Sequence, residues 1–182
     1  GNLLFYTDGR SVWDRNHLIM PGGDYFAGTG LFGDPSSSQS PLIFPNVDTE
    51  NIYYIFTVDE PTYENALIFP GQNTSVAPTS DDGYNNGLNY SIVELSVAGA
   101  NGSVGNVTYR NNMLLTYDEL SGSQVAYKCS EKITAVLDSE GSGFWVVSHF
   151  IDRFYAFHVI SSGVQSDPVV SIIAPTVPIS GY

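Results

Sequence analysis

The chain has 182 residues, of which 42% are hydrophobic and 13% aromatic, the aromatics being Tyr (12) and Phe (10) far more than Trp (2). Only 14% are charged and the net charge is −13 with Lys+Arg 6, so a phosphate backbone or an anionic membrane surface is repelled, with no basic patch to offset it. No apolar run reaches the ~18 residues that a membrane-crossing helix needs, and the single cysteine, Cys129, rules out an intrachain disulfide and reads as a small packed side chain rather than a nucleophile.

Helix signals are nearly absent. Runs of β-branched and aromatic residues bounded by Gly, Pro, Asn, Asp and Ser predict strands throughout. The first unit, residues 1–33, opens with a strand over Leu3–Asp8. Asp8-Gly9 predicts a two-residue hairpin turn, and Ser11–Asp14 is the return strand. Pro21-Gly22-Gly23 and Gly28-Thr29-Gly30 mark loops. The second unit, 36–115, predicts a short inner strand over Pro41–Pro45 and a middle strand over Ile52–Asp59. An insertion fills 60–87. Leu88–Val97 then alternates Tyr90, Ile92 and Glu94 against Ser91, Val93 and Leu95, and Val107–Tyr109 and Met113–Leu115 close the unit. The best helical stretch, Asn111–Glu119, is short and holds Thr116 and Tyr117, so it reads as strand and turn. The third unit, 131–174, predicts four strands: Ile133–Leu137, Phe144–Phe150, Phe154–Ile160 and Pro168–Ile173.

A pair of neighbouring aromatic-rich strands therefore recurs three times. Repeats of ~40–50 residues with this strand content are the mark of propeller blades. The expectation is an all-β fold: a partial β-propeller of about three four-stranded antiparallel blades, with approximate blades at 1–33, 36–115 and 131–174. The first unit lacks an innermost strand, so a segment of a larger propeller is expected. Val12-Trp13-Asp14 contains the Trp-Asp dipeptide of WD40 repeats, but no Gly-His partner stands at the expected distance.

Candidate chemistry is sparse. Asp8, Asp59 and His149 sit at the ends of middle strands, where they could line one rim; turn capping by Asp is the preferred reading. Thr79-Ser80-Asp81-Asp82-Gly83 is a poor match to a sialidase-type Asp box, because Asn86 takes the aromatic place. Asp81–Gly87 could offer oxygen ligands to calcium, with a solvated turn preferred. His17, His149 and His158 lack metal-ligand spacing. Asp118-Glu119 and Asp138 with Glu140 read as surface turns rather than an acid–base pair. Asn73, Asn89, Asn101 and Asn106 begin N-x-Ser/Thr sequons, as an Asn- and Ser-rich chain produces by chance. Tyr53, Tyr54, Trp145 and Tyr155 could stack on sugars, though packing between sheets is preferred. No catalytic or metal residue is assigned, no ligand-binding residue can be named, and no cofactor is expected.

Several stretches carry a wider resemblance. They include Gly1–Gly9, Val12–His17 with Met20-Pro21, Ser36–Ser40, Asn51–Asp59, Gly87–Ser91, Glu131–Val136 and Phe144–His149. Together these resemble a segment of large secreted proteins of Bacteroidetes, of the gliding-motility-associated or type IX secretion sorting-domain kind. The resemblance covers nearly the whole chain outside 60–87. It implies a β-propeller-like region of an exported, extracellular or cell-surface protein, and it brings no catalytic residues. The expected role is a non-catalytic adhesion or interaction module, with a glycan or protein on a propeller face and contacts to its own parent chain or neighbouring copies. A propeller-type glycoside hydrolase, or a spacer in a surface fibre or layer, are the alternatives.

Overall fold

A computed structural model of the chain describes residues 1–35, 37–58, 87–115, 131–150 and 153–173. Asp59, the insertion over 60–86 with its Asp-rich stretch, Asn73, Asp118-Glu119 and Cys129 lie outside the described residues. Within them the fold is all-β: eleven antiparallel strands and no helix.

The first unit is a hairpin of β1 (Phe5–Thr7) and β2 (Val12–Asp14), paired from Phe5↔Asp14 to Thr7↔Val12, with a further bridge from Trp13 to Ile19. The turn is not the two-residue type expected from Asp8-Gly9. Four residues, 8–11, separate the paired ends. Asp8 Oδ1 accepts the N–H groups of Arg10 (2.9 Å) and Ser11 (2.7 Å), so the side chain holds a wider loop open, with Gly9 at φ 95°. That positive φ is open to Gly without steric cost.

The second sheet is a meander, β3-β4-β5-β6, of Pro41–Pro45, Ile52–Val58, Leu88–Glu94 and Asn106–Leu115. Pro41 and Pro45 lack N–H donors, which suits β3 to the edge that it occupies. The stretch over 111–115 is strand, as its sequence predicts. However, β6 is one bulged strand rather than two short ones, with register shifts against β5 and Asn111 at φ 57°.

The third sheet follows the same connectivity, β7 (Ile133–Leu137), β8 (Gly143–Phe150) and β9 (Arg153–Ile160). Its outer strand is split. β10 (Gly163–Val164) pairs with the end of β9, and β11 (Val169–Ile172) with its start. The predicted single strand over 168–173 is thus only half of this edge. The Asp167-Pro168 stretch breaks it, because Pro cannot donate to the ladder.

The period-2 alternation of strands decides the layering. In β4, Tyr54, Phe56 and Val58 face one way, and Ile55 and Thr57 the other. Phe44, Tyr54, Phe56, Val58, Leu88 and Leu115 pack against Ile133, Val146, Phe157 and Val159 of the third sheet. On the opposite face, Ile55, Val93 and Val107 pack against Phe5, Val12, Met20 and Leu31 of the first unit. The second sheet is therefore the middle layer, with apolar side chains buried on both faces. Among the described residues, the third sheet and the first unit each have one face packed on the second sheet and one face that no sheet covers. Of the strands in different sheets, β3 and β7 approach most closely. The two sheets converge on their first strands, and the ring of Phe44 on β3 meets that of Phe144 on β8 at 4.6 Å.

Candidate functional site

One end of the stack collects polar groups. Ser38, just before β3, donates its N–H (2.6 Å) and its hydroxyl to Glu131 Oε2, just before β7. At this same end the buried polar residues Arg10, Asp34, Ser37, Thr57, Asn89, Ser148 and His149 gather. The Arg10 guanidinium is paired with Asp34 and lies 4.9 Å from the centre of the Tyr25 ring. Buried charge is tolerated only when paired and hydrogen-bonded, and here the pair fastens the loops over 8–11 and 31–37. Gly33 makes the approach possible: its N–H donates to Gly9 O (3.0 Å), and a Cβ there would lie 2.6 Å from that oxygen. The Ser37 hydroxyl donates to Val58 O at 3.3 Å. The described carboxylates of this end are thus bound to donors, Asp34 to Arg10, Glu131 to Ser38 and Asp8 to the N–H groups of its own turn.

Two further carboxylates are set by backbone geometry. Asp14 is fully buried, and it accepts from the N–H groups of Asn16 (2.8 Å), Leu18 (2.9 Å) and Val104 (2.7 Å). Burial pushes its pKa up, but these hydrogen bonds outweigh burial and hold it below the ordinary 3.8. Asp138 behaves alike. Desolvation raises its pKa, whereas hydrogen bonds from His158, Ser142 and Glu140 bring it below 3.8. Each closes a tight loop, Asp14–Leu18 and Asp138–Ser142. In each, the residue three positions on has positive φ: His17 at 65° and Gly141 at 70°. Asn46 does similar work between β3 and β4, accepting from Asp48 and Thr49.

The sequence-predicted site residues scatter over these features. Asp8 caps its turn. His149 is buried at the end of β8 with its ring 5.1 Å from Phe154, while His17 lies in the exposed Asp14 loop with Nδ1 3.1 Å from Tyr6 Oη. His158 stacks on Trp145 (4.2 Å, 7° between planes), and its Nε2 lies 3.2 Å from Asp138 Oδ2. Glu140 is exposed in the same loop. Tyr54 is buried against Phe44, Tyr53 packs edge-on against Phe5 at 5.3 Å, and Tyr155 packs on the core between the sheets. Trp145 differs: it stands on the open face of the third sheet. His17 in the Asp14 loop and His158 beside Asp138 stand apart from Asp8 and His149, which belong to the polar end. Among the described residues no group of three His, Cys, Asp or Glu side chains is placed to hold a metal ion.

No family model, curated protein or solved structure matches the chain. Function has to be argued from the geometry. Sequence reasoning missed the Arg10–Asp34 pair, although an Arg among only 6 Lys+Arg in so acidic a chain was a usable signal. It also missed the Asp138–His158–Trp145 cluster, in which a residue read as a turn former anchors a cross-strand aromatic pair.

Proposed function

We propose that the chain is a run of β-propeller blades serving as a non-catalytic interaction module, for adhesion to a glycan or protein, in a larger exported protein. One observation carries the architectural part. Two sheets with the same meander connectivity lie face to face and converge on their first strands, β3 and β7, as blades do around a central axis. The resemblance to Bacteroidetes secreted proteins of the gliding-motility-associated or type IX kind supports export to the cell surface. The low charge content and the Asn- and Ser-rich polarity suit such a setting. The end bearing Ser38, Glu131 and the Arg10–Asp34 pair is the natural face for a ligand, since long connections between strands carry recognition on a rigid scaffold.

The non-catalytic reading rests on how the carboxylates are engaged. Glycoside hydrolysis needs two carboxyl groups facing a common substrate. Asp14, Asp34, Glu131 and Asp138 are each committed to donors in separate loops.

The test is to screen the purified chain on glycan and surface-protein arrays, and in parallel to assay release of reducing ends from the polysaccharides that bind. Saturable binding without release is the expected result. Release of reducing ends would replace this reading with the hydrolase alternative, and absence of any binding would leave only a spacer.

A further inference from the structure

The strands of the second and third sheets correspond in register on either side of their first turns, although the turn of the second sheet is one residue longer. Asn46 N–H donates to Ile52 O at 2.9 Å, and Asp138 N–H donates to Gly143 O at 2.9 Å. Asn46 therefore corresponds to Asp138, and Ile52 to Gly143. The cross-strand pairs carry the correspondence outward. Phe44↔Tyr54 matches Val136↔Trp145, and Val58↔Leu88 matches His149↔Phe154. In the second sheet, this face is buried because the third sheet sits on it. Among the described residues no sheet covers the same face of the third sheet, where Val136 is 59% and Phe154 41% exposed, while His149 at one end of that face is buried. The equivalent face one layer earlier shows what covers such a surface: another sheet, presenting the face that looks toward the start of the chain.

The stack offers such a face at its other end. In β1 and β2, Phe5 and Val12 point to the second sheet, so Tyr6 and Trp13 point away from it. Tyr6 is 37% exposed and stacks on Trp13 at 5.3 Å with 13° between planes. Exposed Leu4, two residues before Tyr6, extends the patch. Each open end thus carries one of the 2 tryptophans in the chain, each in a cross-strand stacked pair.

We propose that a second copy of this chain docks head to tail on the third sheet, its first unit covering Val136, Trp145, Val147 and Phe154 of the copy before it. The contact continues the order of layers already present within one chain: first unit, second sheet, third sheet, then the next first unit. It is a heterologous contact, using different patches on the two partners. Such contacts close into rings or extend as filaments rather than stopping at a dimer. With a net charge of −13, copies repel at a distance, so raised salt strengthens the association by screening. The inference stands on the equivalence of the two sheets and not on ligand binding, so its failure would leave the adhesion reading intact.

Light scattering coupled to size exclusion, from low micromolar to near-millimolar protein in moderate salt, tests it. The mass of the native chain should rise past that of a dimer. Val136→Glu blocks one face and Tyr6→Glu the other, so each variant alone should remain monomeric while retaining the circular dichroism of the native chain. Mixed in equal amounts they should form a dimer and stop, because each still offers one live face. Phe154→Glu and Leu4→Glu replace either variant that fails to fold. A native chain that stays monomeric, a mass that halts at dimer, or variants that assemble as the native chain does would each overturn the proposal.

Discussion

Phe154 and Phe157 lie three residues apart on β9 and point to opposite faces, so the same substitution reads the layering directly. Phe157 is wholly buried between the second and third sheets, beside Val146. Phe157→Ala removes the transfer energy of a full ring and leaves a cavity that two sheets cannot close, a loss of roughly 3–5 kcal/mol. Phe154 is 41% exposed. Its removal forfeits little more than half of the ~1.5–3 kcal/mol that a fully buried ring contributes, and no sealed cavity forms, so the expected loss is about 1–1.5 kcal/mol. The gap between the two variants is therefore about 1.5–4 kcal/mol. Urea unfolding at low protein concentration, where the open face stays uncovered, measures it. Both midpoints should fall with unchanged slopes. Equal losses, or a larger loss for Phe154, would refute the assignment of faces on which the three-layer description rests.

Other perturbations probe the loops and the buried charges. Arg10→Ala leaves the Asp34 carboxylate buried without its cation and should cost about 3–5 kcal/mol; a loss under 1 kcal/mol in the same assay would contradict the pairing. Asp14 and Asp138 are held below 3.8 in the folded chain. The unfolded chain then binds protons more readily, so their stabilisation is complete above that value and is lost as pH falls through the lower folded values. Asp14→Asn should accordingly flatten the acid limb of a plot of melting temperature against pH, and an unchanged acid limb would count against its role. Gly22 has φ 78° and a Cβ there would lie 2.4 Å from Val107 O, whereas Gly28 has φ 74° and open space around it. Gly22→Ala should cost clearly more in thermal unfolding than Gly28→Ala, which carries only the ~1 kcal/mol conformational penalty.

Much of the fold was legible in the sequence because strand periodicity and turn residues are local signals. The alternation across Leu88–Leu95, the Pro-bounded strand at 41–45 and the strands over 133–137, 143–150 and 153–160 all follow from residue pattern. The turn at Asp8-Gly9 was misjudged because a side-chain acceptor two and three residues before its donors favours a wider loop over the tight hairpin that Asp-Gly suggests. The split outer edge of the third sheet was not legible either. Gly163-Val164 is too short to register as a strand, and only its pairing with β9 makes it one.

The site was far less legible than the fold. Asp8, Asp59 and His149 were singled out from position at strand ends, and His158 only as one of three histidines, but what His158 does depends on a partner distant in sequence. His158 finds Asp138 20 residues away, and Asn111 ties β6 to the first unit by accepting from Phe32 N–H and donating to Gly30 O, 79 and 81 residues away. Periodicity assigns a residue to a face, but it says nothing of which loop crosses that face. The aromatic readings show the same division. Tyr53, Tyr54 and Tyr155 fill the spaces between layers, as burial of aromatic area favours, whereas Trp145 has the same pattern around it and stands on the open side.

The central claim is that the second and third sheets lie face to face. Nuclear Overhauser contacts in a chain labelled at phenylalanine test it most directly. The rings of Phe44 and Phe144 lie 4.6 Å apart, so a strong cross-peak between their ring protons is predicted. Its absence from a folded, fully assigned sample would contradict the packing of the two sheets.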